Sequence, residues 1–476
     1  MYKFYDVLLN NAHQIYCYKS LDEIAIGNIV EVNLAGGISL GIIYKKNYSN
    51  DTNEENIKEI TSIYSIILGV DIIEIVNFLS HYNLMNLNQA LKLCLPFKHI
   101  KIVKKSKISK KLIKTQAITQ THSDSIIKKL NDLSQIQKDV CDAMDTHSFS
   151  VTLLEGKTGS GKTQVYISQI AKILQNKELS KESNSQVLIL IPEIGLTDGV
   201  MQKLQETFNC DIALWNSTIY EGTKYKHYHN IYNGTTRIVL GTRSALFLPF
   251  KNLKYIVVDE EHDQSYKQEE SNMYNARDIA IYRAKLANCP ILLTSATPSV
   301  ESEFNAREGK YKKLYLNDRF FDVQMPDIIL IDLKKDKLKS QSQFCQTTIN
   351  EIEKVIANGK QVLIFVQRRG YSPVVMCPLC WYKFECFSCD VFLTYHQKNN
   401  MLKCHQCGKT KYLPKICPAC NENPFEKGQE FLKIGFGVER IEEEIKKQFM
   451  FEQIITLTSD TMSTPKKLKD AIEIIN

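Results

Sequence analysis

A chain of 476 residues is too long for one compact domain, and its length suits about three. Apolar residues at 43% and charged residues at 24% exclude a disordered chain, and no run approaches the ~18 apolar residues of a membrane-spanning helix. A formal net charge of +7 permits a nucleic-acid partner without demanding one.

The opening MYKFYDVLLNNAH carries only a short apolar patch, interrupted by Asp6, with no small-residue cleavage site. No secretory leader is expected, and the reducing cytoplasm is the expected compartment. Residues 1–100 read as a small mixed β/α domain. In it, IGNIVEVNLAGGISLGIIYKKN gives two strands around a Gly-Gly turn, and IIEIVNFLSHYNLMNLNQALKLCLP has helical apolar spacing up to Pro96. Residues 101–132 form a basic linker, whose start KIVKKSKISKKLIK has seven lysines and no acid. Such a run either follows phosphates or is a solvated connector.

From residue 133 to about 335 short apolar runs alternate with helical stretches: SVTLLEG, QVLILIPE, RIVLGTRS, YIVVDEE and PILLTSA. Buried, β-branched strands each followed by a loop and a helix predict a doubly wound parallel α/β sheet. A second series is expected to begin in residues 336–376 at QVLIFVQRRGY and to resume in 421–476 at EFLKIGFG and QIITLTSD, interrupted by a cysteine-dense insert at 377–420.

The first strand of the sheet runs into Gly156, Lys157, Thr158, Gly159, Ser160, Gly161, Lys162 and Thr163, a GxxxxGK[ST] phosphate loop followed by the helical QVYISQIAKIL. Its backbone N–H groups suit a β-phosphate at a helix N-terminus. Lys162 would neutralise β- and γ-phosphate charge, and the Thr163 hydroxyl would ligate Mg²⁺. The strand YIVV ends in Asp259, Glu260, Glu261 and His262. An isolated acidic turn is usually just solvated. Beside a phosphate loop, Asp259 fits the Mg²⁺-holding acid and Glu260 the residue orienting the attacking water. Nucleotide hydrolysis is the expected chemistry.

Four CxxC units place Cys377/Cys380, Cys386/Cys389, Cys404/Cys407 and Cys417/Cys420 within the insert. Two residues between thiols let both sulfurs reach one tetrahedral ion, so eight cysteines predict two Cys₄ zinc sites. Spacing does not say which unit pairs with which. His396 and His405 are expected to face solvent, and the remaining six cysteines to be packed or incidental.

DEEH after an apolar strand, with TSATPS at 294–299, resembles superfamily 2 helicases. GKTGSGKTQVY, PEIGLT (192–197), GTRSALFLPF (241–250), DEEHDQSYKQ, YNARDIAIYRA, RRGY (368–371) and the four CxxC units, in that order, resemble the PriA family of replication-restart helicases. The resemblance implies a 3′-to-5′ ATP-dependent DNA helicase that recognises stalled forks. Its implied partners are forked and single-stranded DNA, primosome and helicase-loading proteins, and single-stranded-DNA-binding protein. It implies an N-terminal 3′-end-binding domain, two RecA-like lobes and a zinc module inserted in the second. It pairs Cys377, Cys380, Cys417 and Cys420 on one zinc, and Cys386, Cys389, Cys404 and Cys407 on the other. It places Gln137 at the adenine and Thr197 and Arg243 on DNA phosphates. His262, Tyr266 and Lys267 fall in the segment coupling DNA to ATP, with Tyr266 stacking on a base.

The sequence departs from the family pattern at Tyr16-Cys17-Tyr18, where an acid usually separates the aromatics, and at Gln367, Phe436 and Val438. Residues 101–132 are short for a winged helix. The later second-lobe motifs, including an arginine run, do not follow LTSDTMSTPKKLKDAIEIIN, which leads to the expectation of an incomplete second lobe. The alternative function is therefore a fork- and ATP-binding module with little unwinding.

Overall fold

The computed structural model describes residues 2–12, 14–47, 56–97, 133–175, 185–192, 197–208, 211–269, 273–317, 326–332, 335–336, 342, 344–366, 374–434, 437–449, 453–458, 461–462 and 465–475. The basic linker, residues 193–196 of PEIGLT, Gln367 with RRGY, and Phe436 lie outside the described residues. Two compact units divide the chain, Met1–Gln324 and Met325–Asn476.

The first unit opens with β1 (Lys3–Leu9), β2 (Ile15–Ser20), β3 (Asn28–Leu34), β4 (Gly37–Asn47) and β5 (Ile60–Ile67). They form an antiparallel sheet ordered β2-β1-β4-β3-β5. The predicted hairpin is β3–β4, with Leu34 facing Gly37 across a turn of Ala35 and Gly36. Both turn residues have positive φ, 48° and 83°, the geometry whose twist matches the flanking strands. Helices α1 (Val70–Tyr82) and α2 (Leu87–Cys94) follow, α1 burying Ile72, Ile75, Val76 and Leu79 along one face.

Next comes α3 (Gln135–Ala143), started by a capping box in which Ser134 and Gln137 exchange hydrogen bonds. The chain continues through β6 (Val151–Gly156), α4 (Lys162–Gln175), β7 (Gln186–Leu190), α5 (Thr197–Phe208), β8 (Ile212–Trp215), α6 (Glu221–Asn233), β9 (Ile238–Gly241) and β10 (Leu253–Val258). A two-residue ladder, β11 (Lys267–Gln268) with β12 (Tyr274–Asn275), leads to α7 (Ala276–Leu286), β13 (Ile291–Ser295), α8 (Val300–Arg307) and β14 (Lys312–Leu316). The seven longer strands form one parallel sheet, ordered β14-β6-β13-β10-β7-β9-β8. Strands β7, β9 and β13 are buried at every position, as expected where helices cover both faces of a parallel sheet.

The N-terminal helices dock on one face of this sheet, within one continuous apolar core. Phe97 packs edge-on against Tyr225 and Tyr228 of α6, and Phe78 stacks on Tyr282 of α7 at 4.2 Å. The Tyr228 hydroxyl donates to the Cys94 carbonyl at 3.0 Å.

In the second unit α9 (Gln346–Ala357) precedes a small module of β15 (Val374–Met376), β16 (Thr394–His396), β17 (Met401–Lys403), β18 (Thr410–Tyr412) and β19 (Leu432–Ile434). Its ladders, β15–β19 and β16–β17–β18, are antiparallel. Helices α10 (Val438–Gln448) and α11 (Pro465–Ile475) follow. QVLIFV and QIITLT, predicted as strands of a second parallel series, enter no ladder among the described residues, and Leu363 and Phe365 are 87% and 86% exposed. The FLKI part of EFLKIGFG contains β19, the antiparallel partner of β15 rather than a strand of that series. An apolar run marks a segment able to be a strand; the ladder also needs partners, which the run does not encode. No helix among the described residues is long and apolar enough to cross a membrane.

Candidate functional site

The glycines of the phosphate loop are required by backbone conformation at Gly159 and Gly161 and by space at Gly156 and Gly161. Gly159 and Gly161 have φ of +83° and +85°, and a Cβ on Gly161 would meet Gln137 Nε2 at 2.2 Å. A Cβ on Gly156 would meet Ser160 Oγ at 2.6 Å. The loop closes with Ser160 N donating to Lys157 O at 3.0 Å and hands over to α4 at Lys162. Lys157 and Thr158 are exposed, and Thr163 is half-buried in the first turn of α4. Ser160 Oγ is buried and has no hydrogen-bond partner among the described residues. A tight glycine loop on a helix N-terminus, with an unspent buried hydroxyl, fits a bound phosphate group.

Lys162 is buried, its ammonium donating to Gly156 O at 2.8 Å and lying 3.9 Å from Glu260 Oε1. Parallel pairing of β10 between β7 and β13 brings the DEEH turn beside the phosphate loop. Asp259 Oδ1 accepts from Thr294 Oγ1 at 2.5 Å, and Oδ2 accepts from the Tyr166 hydroxyl at 3.4 Å. Glu260 has φ of +47°, left-handed for a residue with a Cβ, and its Oε2 lies 3.6 Å from His262 Nδ1. His262 Nδ1 is also 2.8 Å from Ser295 Oγ. The turn thus connects the phosphate loop to TSATPS on β13.

Lys162, Asp259, Glu260 and the glycines lie together at the strand ends. Two other expectations meet different surroundings. Gln137 is 2% exposed. Its Oε1 accepts from Ser134 N at 3.0 Å and its Nε2 donates to Ser160 O at 3.1 Å. Its buried amide therefore braces the phosphate loop from behind, with one N–H and the carbonyl oxygen already engaged there. The S-x-x-Q spacing carried that signal as a capping box. Tyr266, expected to stack on a base, is 1% exposed, and its hydroxyl donates to Asp259 O at 2.7 Å. With no ring face open, it supports the DEEH turn instead. Burial, then the charge of Asp259, pushes the hydroxyl pKa of both Tyr166 and Tyr266 well up, so both remain donors.

Arg243 donates through Nη1 to Ser265 O at 3.1 Å and Lys267 O at 3.4 Å, gripping the chain on both sides of Tyr266. Lys267 is exposed, 3.7 Å from Glu269. Thr197 begins α5. Among the described residues, neither Arg243 nor Lys267 bonds to the cluster around Lys162. Residues that sequence reasoning did not single out are Tyr166 and Thr294, which hold Asp259, and Arg277, Ser299 and Ser302, which surround Glu261. All but Ser302 lie in stretches quoted for the family resemblance.

In the second unit the thiols gather into two groups, Cys377, Cys380, Cys417 and Cys420, and Cys386, Cys389, Cys404 and Cys407. Sulfur separations are 3.9 Å for Cys377–Cys420, 3.6 Å for Cys380–Cys417 and 3.7 Å for Cys386–Cys407. Four sulfurs at about 2.3 Å from a tetrahedral ion lie about 3.8 Å apart, whereas a disulfide bond is about 2.05 Å. The donor set fits two zinc ions. Trp381, Asp390, Gly408 and Asn421, each directly after a CxxC unit, take positive φ and close the four knuckles. The amide of Cys407 directed at Cys404 helps hold that thiol down to about 7, favouring the thiolate a metal needs. His396 and His405 are not solvent-facing as expected. Their Nε2 atoms lie 3.0 Å apart, and His396 Nδ1 is 3.0 Å from Glu439 Oε1.

A phosphate loop and a DEEH turn on one parallel sheet define a nucleotide-binding domain of the P-loop class. The DEAD/DEAH box helicase model matches residues 134–304. The 3′DNA-binding domain (3′BD) model matches residues 6–96, and that of the PriA DNA helicase Cys-rich region (CRR) matches 386–411. The chain is similar to the replication restart protein PriA of Chlamydia pneumoniae, 32% identical over 525 residues, covering 94% of this chain and 68% of that protein. With the Rickettsia prowazekii protein it shares 34% identity over 447 residues, 94% of this chain and 65% of the relative. With that of Bacillus subtilis it shares 35% over 370 residues, 75% and 44%. The chain belongs to the PriA family, and spans about 65% of the length of the Rickettsia relatives it matches.

Proposed function

We propose that the chain is an ATP-dependent DNA helicase of replication restart, engaging forked DNA and tracking 3′ to 5′. The observation that carries the reading is the convergence of Lys162, Asp259 and the strained Glu260 beside a glycine loop. Lys162 binds β- and γ-phosphate oxygens, exchanging its contact with Gly156 O for them. Thr163 and Asp259 would hold Mg²⁺, which would neutralise charge on the transferring phosphoryl group. Glu260 orients the attacking water, with His262 holding the turn against Ser295.

Residues 2–97 serve as the fork-binding element, docked on the motor face through α1 and α2. Arg243 and Lys267 carry DNA contact toward Tyr266 and so toward Asp259. The zinc module offers a surface for strands and protein partners. By family these partners are primosome and helicase-loading proteins and single-stranded-DNA-binding protein, acting in the cytoplasm.

The test is ATP hydrolysis by the purified chain with and without forked DNA, beside Lys162→Ala. Fork-stimulated turnover, reduced at least ~100-fold in the variant while fork affinity changes less than about twofold, is expected. Loss of fork binding in Lys162→Ala would contradict separate sites for DNA and nucleotide. Fork binding without turnover in the unaltered chain would leave a fork- and ATP-binding module instead.

A further inference from the structure

One acid of the DEEH turn takes no part in that reaction. The Glu261 side chain is wholly buried, and both its oxygens are engaged. Oε1 accepts from Ser299 N at 2.7 Å; Oε2 accepts from Ser299 Oγ and Ser302 Oγ, both at 2.9 Å, and from Arg277 Nη1 at 3.1 Å. Its backbone N–H donates to Thr294 O at 2.9 Å. The partners come from β13, from the cap and first turn of α8, and from the first turn of α7. A buried carboxylate is costly unless paired and hydrogen-bonded, and one so fully satisfied is rigidly held.

Glu260 stands between two fixed neighbours. Asp259 is held by Thr294, Tyr166 and Tyr266, and Glu261 by the cluster just described. A left-handed φ at a residue with a Cβ persists only where its surroundings over-determine it. Releasing Glu261 would let the turn relax, and the Glu260 carboxylate would leave its place between Lys162 and His262.

We propose that Glu261 is a positioning residue for ATP hydrolysis: its buried contacts with Arg277, Ser299 and Ser302 hold Glu260 in the rotation that orients the attacking water. This rests on the hydrolytic reading above. It also makes the segment after TSAT a second support of the turn, so that a shift of α8 reaches Glu260 directly.

The test measures forked-DNA-stimulated ATP hydrolysis and binding of a fluorescent ATP analogue by the full chain. The unaltered protein is compared with Glu261→Gln, Ser302→Ala, Glu260→Gln and the double variant Glu260→Gln/Glu261→Gln. Glu261→Gln is expected to lower kcat about 10- to 100-fold, with KM and nucleotide affinity unchanged within about twofold. Ser302→Ala, which removes one hydrogen bond without stranding a charge, should lower kcat a few-fold in the same way. The double variant should be no slower than Glu260→Gln, because Glu261 acts only through its neighbour. Absence of turnover in the unaltered protein would overturn the hydrolytic reading, and this role with it. With turnover present, this role alone is overturned by a Ser302→Ala kcat equal to the unaltered value, by weakened nucleotide binding in Glu261→Gln, or by an additive loss in the double variant.

Discussion

Arg283 shows how a single side chain can tie two parts of a chain together at a cost. It is wholly buried in α7, with Nη2 donating to Leu248 O at 2.6 Å and lying 3.5 Å from Asp71 Oδ2 of α1. Its Nε and Nη1 have no hydrogen-bond partner among the described residues, although the guanidinium lies 5.0 Å from the Phe250 ring centre. Burial lowers its pKa, while the nearby Asp71 carboxylate opposes that shift. The pair is therefore weak evidence for stability and strong evidence for dependence of one partner on the other. Asp71→Ala should destabilise the first unit by about 2–4 kcal/mol, because it strands a buried cation. Adding Arg283→Met to Asp71→Ala should restore part of that loss, since an apolar chain of similar length needs no countercharge. Urea denaturation of both variants decides this; a double variant less stable than Asp71→Ala would refute it.

Between elements, the docking of α1 and α2 on the motor face rests on aromatic packing rather than on sheet hydrogen bonds. Phe97 is 3% exposed and touches Tyr225 and Tyr228 edge-on, so Phe97→Ala should cost about 3–5 kcal/mol and loosen the N-terminal domain. Denaturation with parallel limited proteolysis would check it, and a cost below about 1 kcal/mol would show that the packing contributes little. This docking was illegible in the sequence, because Phe97 and Tyr228 are separate apolar positions until folding brings them together. The parallel sheet was legible, since runs such as QVLIL and ILLTS are mainly apolar and are buried at every position. QVLIFV is similarly apolar and forms no ladder among the described residues, because composition does not supply a partner strand. At the site, the motif placed Lys162 beside Glu260, but residue type could not say which way a side chain turns. Hence the motif does not reveal that Gln137 bonds to the phosphate loop and Tyr266 to Asp259.

For the molecule as a whole, the two units use different means to hold a fold. The first has an extensive apolar core on both faces of a seven-stranded sheet. The zinc module has short ladders and a small core in which Cys377, Cys386, Cys404 and Cys417 are themselves buried members. Where apolar burial is that limited, metal binding free energy becomes folding free energy. A strong chelator should therefore remove about two zinc ions per chain and unfold the module. Cys380→Ser should reduce the zinc content to about one, leaving the Cys386 group filled. Nucleotide binding should survive both treatments, because Lys162, Asp259 and every described partner holding them lie in the first unit. Metal content by a colorimetric chelator, with fluorescent-nucleotide titration on the same samples, reads both effects. Loss of both zinc ions in Cys380→Ser would mean that the two centres fold as one. Loss of nucleotide affinity on chelation would mean that the phosphate loop depends on the module.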